Sequence, residues 1–378
     1  MFRSDKLINY PIKEVPYYHI YGRTDLYRND IPLFWNGSGI EVNVSGSELW
    51  IELDTDCDLY EPWISTEING AFMSRQMLLP GHQKLCLFRG LDPNTVKNVH
   101  FNRELQAMSE DDVCHIIIKG LESDGSFYPI EPKKYRLEFI GDSITSGEGT
   151  YGFTSDVDWV SMYMSSSINY AVMTSKMLNA DYRLISQGGW GVYTGWDNNR
   201  NHAIPKYYDK ISGLSWGIEN EKLGASKLND FSSWIPDAII VNLGTNDASA
   251  FVQPPFPDPE TGETYKQRTE EDGSYNEEDL SNFRNAVISF IKLLRKHNPS
   301  SHILWAYGML GYDLSLPIAM AVSDYRRETG DDNVFYLQLP NTKEDSYGAH
   351  MHPGVKSHKL ASEVLYDYLK SLFDRKEV

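Results

Sequence analysis

Residues 135–149 have the sequence YRLEFIGDSITSGEG, in which an apolar run gives way to a turn of small residues. The pattern predicts a buried strand over residues 135–140 that ends at Gly141. It places the hydroxyl of Ser143 at the carboxyl end of that strand. Open α/β sheets bind their ligands at this edge, so we expect Ser143 to lie in a functional site.

Further motifs follow other predicted strands. SQGGWG, residues 186–191, follows one strand, and GTND, residues 244–247, follows another. Near the C-terminus His350 and His352 precede an amphipathic helical pattern. A serine becomes a good nucleophile only when a base takes its proton and donors stabilise the oxyanion that forms. The motifs supply both kinds of group.

The C-terminal two thirds of the chain alternates strand and helix patterns. We predict strands over residues 135–140, 182–186, 237–243, 302–307 and 333–338, and helices over residues 170–178, 280–297 and 356–373. Five strands that alternate with helices predict an α/β fold of three layers, α/β/α, with a mostly parallel sheet.

The ordered motifs GDS, GxND and HP resemble the four blocks of the SGNH, or GDSL-type, hydrolases. The resemblance implies that Ser143 is the nucleophile and His352 the general base. It also implies an oxyanion hole formed by the N–H groups of Ser143 and Gly189 and the amide of Asn246. Gly188 is the alternative to Gly189 if the second block is shifted by one residue.

The chain departs from this family at the position three residues before His352. Most members have an aspartate there, which orients the histidine, whereas this chain has Ala349. Either a backbone carbonyl near Ala349 or His350 orients the ring, which gives a Ser-His dyad, or a distant acid does so. Asp345 is the nearest acid upstream. We favour the dyad, because the family's branch of carbohydrate esterases of family 2 includes members without this acid.

Other polar residues near these motifs have structural explanations. Asp142 adjoins the serine and cannot easily reach the histidine, so we interpret it as structural. We interpret Asp247 as a residue that makes loop hydrogen bonds. His350 is a rival for the base, and His358, at the start of a helix, is interpreted as structural. His350 and His352 could be two metal ligands, but the sequence shows no cluster that would supply further ligands, so we predict no metal. The serine chemistry needs no cofactor.

Residues 18 to about 125 contain short alternating strands separated by Gly, Asn, Pro and Ser, which predicts a β-sandwich. A linker over residues 125–134 separates it from the rest. We therefore predict a β-sandwich domain over residues 1–130 and a catalytic domain over residues 131–378. A jelly-roll-like domain before an SGNH domain is also the architecture that the resemblance to carbohydrate esterases of family 2 implies.

Two long insertions, Tyr193 to Trp234 and Phe251 to Tyr275, follow motif-bearing strands, and we expect them to form walls of the substrate cleft. Trp190, Trp196 and Trp216 lie in or beside the first. Their rings could stack on sugars, or they could simply pack in the core.

Composition limits the partners of the chain. A net charge of −18 over 378 residues argues against nucleic acid and against an anionic membrane. The sequence contains no run of about 20 apolar residues, the length needed to span a membrane. The start, Met1 to Tyr10, has no signal-peptide core, so we expect a cytoplasmic protein. The three cysteines leave at least one thiol unpaired, which fits a reducing compartment, and the oligomeric state stays open.

The resemblance implies an O-acetyl esterase that removes acetyl groups from acetylated hemicellulose oligosaccharides, either mannan or glucomannan or xylan. The serine chemistry follows from the residues, whereas the acetyl and sugar specificity follow from the resemblance alone. The alternatives are a lipase or thioesterase of the same superfamily, a glycan O-acetyltransferase, and a carbohydrate-binding protein without catalytic activity.

Overall fold

The computed structural model describes residues 7–374, which form two compact units. Unit 1 contains the chain up to Lys133 together with Val160–Met162 and Lys210–Asn229. Unit 2 contains Lys134–Trp159, Tyr163–Asp209 and the chain from Asp230 onward. Residues 1–6 lie outside the described residues, and with them most of the segment on which the signal-peptide expectation rests.

Unit 1 is built from eleven strands among the described residues. These are β1 (Ile8–Pro11), β2 (His19–Tyr21), β3 (Ile31–Pro32), β4 (Gly39–Val44), β5 (Glu48–Asp56), β6 (Trp63–Ile68), β7 (Ala71–Met77), β8 (Gly81–Arg89), β9 (Lys97–Arg103), β10 (His115–Ser123) and β11 (Phe127–Tyr128). They form two antiparallel sheets, in the orders β1-β10-β5-β8 and β11-β4-β9-β6-β7. Strand β3 pairs with β10, and β2 pairs with β4.

The core of unit 1 follows from alternation along the strands. In β5 the residues Leu49, Ile51 and Leu53 are buried, whereas the residues between them are partly exposed. They share one hydrophobic cluster with Val42 and Val44 of β4, which belongs to the other sheet. Because side chains of a strand alternate between its two faces, this pattern buries one face of each sheet. The β-sandwich prediction is confirmed.

The segment Lys210–Asn229 belongs to unit 1 although it is distant in sequence. The indole N–H of Trp35 donates to the backbone oxygen of Ile211 at 2.8 Å, and Arg23 donates to that of Lys210 at 3.0 Å. Leu214 of the segment is buried. These bonds show that part of the first insertion completes the β unit.

Unit 2 contains the remaining strands and most of the helices. The strands are β12 (Tyr135–Gly141), β13 (Ala180–Ser186), β14 (Ala238–Asn242), β15 (Phe256–Pro257), β16 (Thr264–Tyr265), β17 (His302–Gly308) and β18 (Val334–Leu339). The helices of the described chain are α1 (Ser143–Ser146), α2 (Tyr170–Met177), α3 (Ile218–Lys222, in unit 1), α4 (Thr245–Ala250), α5 (Glu277–His297), α6 (Ser315–Thr329) and α7 (Val355–Asp374). None of these helices is both long and apolar enough to cross a membrane.

The main sheet of unit 2 is parallel, with the strand order β13-β12-β14-β17-β18. The connections from β12 through α2 to β13 and from β14 through α5 to β17 run in opposite directions across the sheet. Because such crossovers are right-handed, they place α2 and α5 on opposite faces. Helix α7 packs on α2, and α6 packs on α5. The three-layer α/β prediction is confirmed.

The observed start of helix α5 lies close to the predicted one, and its N-cap explains the difference. Helix α5 begins after Asn276, whose side chain accepts a hydrogen bond from the N–H of Asp279, as an N-cap does. The predicted apolar face is buried along most of the helix, and Leu280 is half-buried. The helix therefore starts three residues before the predicted Leu280, because polar cap residues have no apolar period.

Candidate active site

The site lies at the carboxyl edge of the parallel sheet, where the strand order changes direction. Gly141, the last residue of β12, pairs with Ser186 of β13 and with Asn242 of β14, so the three strands end in register. The turn after β12 carries Ser143, the turn after β13 carries Gly189, and the turn after β14 carries Asn246. Crevices of this kind between diverging connections are the usual ligand sites of open α/β sheets.

A tight turn presents the hydroxyl of Ser143. A Cβ on Gly141 would lie 2.0 Å from Oγ1 of Thr145, so only glycine fits at the strand end. Asp142 caps α1 by accepting a hydrogen bond from the N–H of Ile144 at 3.0 Å. The structural interpretation of Asp142 agrees with this contact.

The side chains of Ser143 and His352 are in direct contact. The serine Oγ lies 2.8 Å from Nε2 of His352, and Nδ1 of His352 lies 2.7 Å from the backbone oxygen of His350. A carbonyl oxygen can only accept, so Nδ1 carries the ring hydrogen and Nε2 accepts from the serine hydroxyl. The imidazole is thus held in the tautomer that a general base requires.

The backbone around His350 has an uncommon conformation. His350 and Met351 have φ of 51° and 55°, in the left-handed region, which costs about 1–2 kcal/mol for each residue. The N–H of Ala349 donates to the backbone oxygen of Gly149 at 2.9 Å, and that of His350 donates to the backbone oxygen of Asp156 at 2.6 Å. These bonds hold the conformation that aims the His350 carbonyl at His352.

Glu148 was not among the predicted site residues, yet its carboxylate lies beside both histidines. Its Oε1 accepts a hydrogen bond from Nδ1 of His350 at 2.7 Å and lies 3.6 Å from Nδ1 of His352. Burial by itself would raise the pKa of Glu148. The charge of His352 and the hydrogen bond from His350 outweigh burial and hold that pKa below its usual value. A charged residue between two glycines of the serine turn is the sequence signal that could have pointed to it.

The ligand atoms of Glu148, His350 and His352 lie within 4.8 Å of one another, which is close enough for a shared metal ion. Both Nδ1 atoms are already engaged in short hydrogen bonds. The hydrogen bonds account for the positions of all three side chains, and we assign no metal to them.

The alternative acid and the other histidines have different surroundings. Asp345 is exposed; its carboxylate accepts from Ser346 and lies 3.5 Å from the amine of Lys356. His358 is buried and accepts a hydrogen bond from the N–H of Tyr170, and burial lowers its pKa to about 3. Neither residue orients His352 through a described hydrogen bond.

The predicted oxyanion donors lie in the turns that follow three neighbouring strands, which end in register. In residues 7–374 the backbone N–H groups of Ser143 and Gly189 have no hydrogen-bond acceptor. Gly189 has a φ of 77°, which favours glycine. The amide of Asn246 donates to the backbone oxygen of Trp190 at 2.9 Å and to Asp142 at 3.3 Å. Two unpaired N–H groups and a side-chain amide are the donors that an oxyanion requires.

Asp247 anchors the start of the first insertion. Its carboxylate accepts hydrogen bonds from the N–H groups of Val192, Tyr193 and Thr194 at 2.8–3.0 Å. Burial raises its pKa to about 6 although the three N–H donors oppose that rise. Burial also raises the pKa of Asp142 to about 7, and the charges of Asp247 and Glu148 add to that rise. The loop interpretation of Asp247 agrees with these bonds.

The three tryptophans have different surroundings. Trp190 is 3% exposed and stacks on His202 with 4.8 Å between ring centroids, so it packs in the core and offers no open face for a sugar. Trp196 is 48% exposed, and its backbone N–H donates to the backbone oxygen of Gly189 at 3.0 Å. Trp216 belongs to unit 1, where its indole donates to the backbone oxygen of Gly213, and its role in binding stays a prediction.

A family model described as GDSL-like lipase/acylhydrolase matches residues 137–365. Among solved structures, an acetyl xylan esterase (Est2A) from the rumen bacterium Butyrivibrio proteoclasticus is 52% identical, with a TM-score of 0.96. The match covers 97% of this chain and 99% of that chain. A family two carbohydrate esterase from Clostridium thermocellum, in complex with cellohexaose, is 22% identical, with a TM-score of 0.78. This match covers 94% of this chain and 99% of that chain and shows a shared fold.

Two curated proteins are also similar. An acetylxylan esterase / glucomannan deacetylase of Cellvibrio japonicus is 22% identical over 372 residues, which are 95% of this chain and 90% of that protein. The cellulase/esterase CelE of Acetivibrio thermocellus is 23% identical over 347 residues, or 89% of this chain. The chain spans 37% of the length of that longer protein.

Proposed function

The chain belongs to the GDSL-like lipase/acylhydrolase family, and from this premise we propose that it is an O-acetyl esterase of carbohydrate esterase family 2. Its substrates are acetylated hemicellulose oligosaccharides, of xylan or of glucomannan. The observation that carries the proposal is the contact of 2.8 Å between Oγ of Ser143 and Nε2 of His352, at the ligand-binding edge of the sheet.

The reaction proceeds through an acyl-enzyme. Nε2 of His352 takes the hydroxyl proton as Ser143 Oγ attacks the acetyl carbonyl. Collapse of the tetrahedral intermediate releases the sugar hydroxyl, which leaves with the proton from His352. Water then attacks the acetyl-serine with His352 again as base, and acetate leaves.

The developing oxyanion is stabilised by the N–H groups of Ser143 and Gly189 and by the amide of Asn246. Since both amide hydrogens of Asn246 have acceptors in the free protein, one bond must be exchanged for the oxyanion. The longer bond, at 3.3 Å to Asp142, is the one we expect to be given up.

The sugar specificity is supported by the relatives and by one exposed ring. The similar proteins include an acetyl xylan esterase and an acetylxylan esterase / glucomannan deacetylase. Trp196 is exposed, and its Cδ1 lies 3.0 Å from the position of a Cβ on Gly189. An exposed indole beside an oxyanion donor is suited to contact the sugar that carries the acetyl group.

Acetate release tests this proposal. Wild type, Ser143→Ala and the exposed control Ser300→Ala are incubated with acetylated xylo- and mannooligosaccharides, and losses of acetyl mass are followed by mass spectrometry. We expect release by wild type and Ser300→Ala, and none above background by Ser143→Ala. Cleavage of long-chain esters without acetate release would point to a lipase instead. If none of the three proteins hydrolysed the substrates and Ser143→Ala bound the oligosaccharides as wild type does, the chain would be a carbohydrate-binding protein.

A further inference from the structure

We propose that Glu148 supplies, from the serine turn, the negative charge that Ala349 cannot supply. Its carboxylate stabilises the imidazolium that His352 becomes during the reaction. Glu148 is therefore a positioning residue that acts through His352, and the inference rests on the proposed function.

The carboxylate lies where this charge is needed. Oε1 of Glu148 lies 3.6 Å from Nδ1 of His352, on the opposite side of the ring from the atom that takes the serine proton. The Glu148 side chain is only 8% exposed. Charges attract more strongly away from water, so an ion pair at this distance favours the protonated ring.

Two glycines bring Glu148 to this place. Gly147 and Gly149 have φ of 78° and 69°, so the chain folds back on either side of the glutamate. A Cβ on Gly149 would lie 2.2 Å from the backbone oxygen of Ala349 and 2.8 Å from Cβ of His352. The serine turn and the histidine loop are packed closely enough for the glutamate to lie against His352.

Position 349 itself offers no charge, because it holds a buried alanine where most of the family has an acid. Ala349 is fully buried, and its Cβ lies 2.8 Å from the position of a Cβ on Gly152. A side chain at position 152 would therefore collide with Ala349, so the segment that follows the serine turn packs closely against this alanine. Glu148 and the backbone carbonyl of His350 thus share the work of one aspartate: the carbonyl fixes the tautomer, and the carboxylate supplies the charge.

Several other charged or titratable groups face this pair. His350 shares the carboxylate, and its hydrogen bond to Glu148 raises the pKa of His350. The side chain of Trp159 donates to Glu148. The charge of Glu148 helps to raise the pKa of Asp142, and the charge of His352 helps to lower that of His358. Any test must therefore separate a direct effect on His352 from an effect that passes through His350.

The first experiment measures p-nitrophenyl acetate hydrolysis from pH 5 to 9 by wild type, Glu148→Gln and Glu344→Gln. Glu344 is exposed, so its variant makes the same change in net charge away from the site. For Glu148→Gln we expect kcat to fall about tenfold with KM nearly unchanged, and the acid limb to move about one pH unit lower. Glu344→Gln should match wild type. An acid limb that stays in place in Glu148→Gln would overturn the proposal.

The second experiment repeats the substitution in a His350→Asn background. Asparagine tolerates the left-handed backbone at this position, and the carbonyl that orients His352 remains. If Glu148 acts on His352 directly, Glu148→Gln lowers kcat by a similar factor in this background. If the effect of Glu148→Gln disappears when His350 is replaced, Glu148 serves only to hold His350, and the proposal is wrong.

The last measurement needs no activity. NMR of histidine-labelled protein follows the titration of the His352 ring in wild type, Glu148→Gln and Glu148→Asp. The midpoint should move to lower pH in Glu148→Gln and much less in Glu148→Asp, which keeps the charge and serves if the glutamine variant does not fold. An unmoved midpoint rejects the role of Glu148. A moved midpoint in a protein that releases no acetate rejects the proposed function alone.

Discussion

Asn246 has two competing tasks at the level of single residues. Its amide donates to the backbone oxygen of Trp190 and to Asp142 in the free protein, and the proposed reaction requires one of its hydrogens for the oxyanion. These two bonds hold the amide in place before substrate arrives, and one of them is exchanged for the oxyanion as its charge develops. Its contribution should appear in the transition state more than in substrate binding.

We therefore predict that Asn246→Ala lowers kcat by about 10²–10³-fold and changes KM by only a few-fold. The physical reason is the loss of a donor that meets charge only as the tetrahedral intermediate forms. Steady-state kinetics on acetylated xylooligosaccharides measure both constants. A variant with unchanged kcat and a raised KM would show instead that Asn246 binds substrate in its ground state.

The residues to which we assign the chemistry differ in how far sequence could predict them. Ser143, Asn246 and His352 belong to short sequence motifs, and the order of these motifs along the chain identified the three residues as candidates. Glu148 belongs to no motif, because its proximity to His352 depends on how closely two loops pack. Trp190 is a residue type that often stacks on sugars, but here its ring stacks on His202, twelve residues further along the chain.

At the level of elements, the first turn of α4 joins the turn after β14 to the insertion after β13. Asp247 makes this connection with three hydrogen bonds from backbone N–H groups. Each buried N–H that loses its acceptor costs about 1–3 kcal/mol. The same segment leads back to Gly189, so its position matters for the oxyanion donors.

Asp247→Ala should therefore lower the free energy of unfolding by roughly 3 kcal/mol or more and also lower kcat. Urea denaturation measures the first effect, and acetate release measures the second. Loss of stability with unchanged kcat would show that the position of Gly189 does not depend on this anchor.

Helix α5 offers a test of stability that leaves the site intact. Asn276 caps its first turn, where Glu277, Glu278 and Asp279 lie, and basic residues occupy its last turn. Asn276→Ala should cost about 1 kcal/mol of stability, and Asn276→Asp, which keeps a capping oxygen, should cost much less. Urea denaturation of both variants measures the difference. Acetate release should stay within twofold of wild type in each, and a fall in activity would contradict the separation.

Elements with a strong apolar period were predicted well, and irregular ones were not. The five strands of the parallel sheet and helices α2, α5 and α7 lie within three residues of their predicted ends. Helix α6 was missed because Pro317, in its first turn, interrupts the pattern without preventing a helix start.

At the level of the whole molecule, buried carboxyl groups govern how stability depends on pH. Burial raises the pKa of Asp142 to about 7 and that of Asp247 to about 6, from 3.8. Between about pH 4 and 7 the folded protein therefore binds more protons than the unfolded chain, and these groups lower stability as pH rises. Glu148 acts in the opposite direction: its lowered pKa stabilises the fold above about pH 4.5, and this is lost in more acidic solution.

We predict that Asp142→Asn flattens the fall in melting temperature between pH 4 and 7 relative to wild type. The substitution removes a carboxyl group whose charged form is disfavoured in the folded protein. The amide of the new asparagine can still cap α1. Calorimetry at several pH values measures the slope. An equal slope in both proteins would mean that Asp142 ionises in the folded state as it does in the unfolded chain.

The division of the chain into units could be predicted only in part. Composition and the linker around residue 130 indicate a β part followed by an α/β part. The membership of Lys210–Asn229 in unit 1 depends on hydrogen bonds to Arg23 and Trp35, which lie more than 170 residues earlier in the chain. No local pattern reports a contact of that separation.

This interleaving has a consequence for how such a protein can evolve. Unit 1 takes its material from three stretches of the chain, and two of them are enclosed in sequence by unit 2. A single genetic crossover near residue 133 would join a new N-terminal partner to a chain that still carries Lys210–Asn229, without the Arg23 and Trp35 side chains that hydrogen-bond to it. Exchange of whole modules, the common way to give an enzyme a new accessory domain, is therefore disfavoured here. We expect the two units to be inherited together and to diversify by substitution.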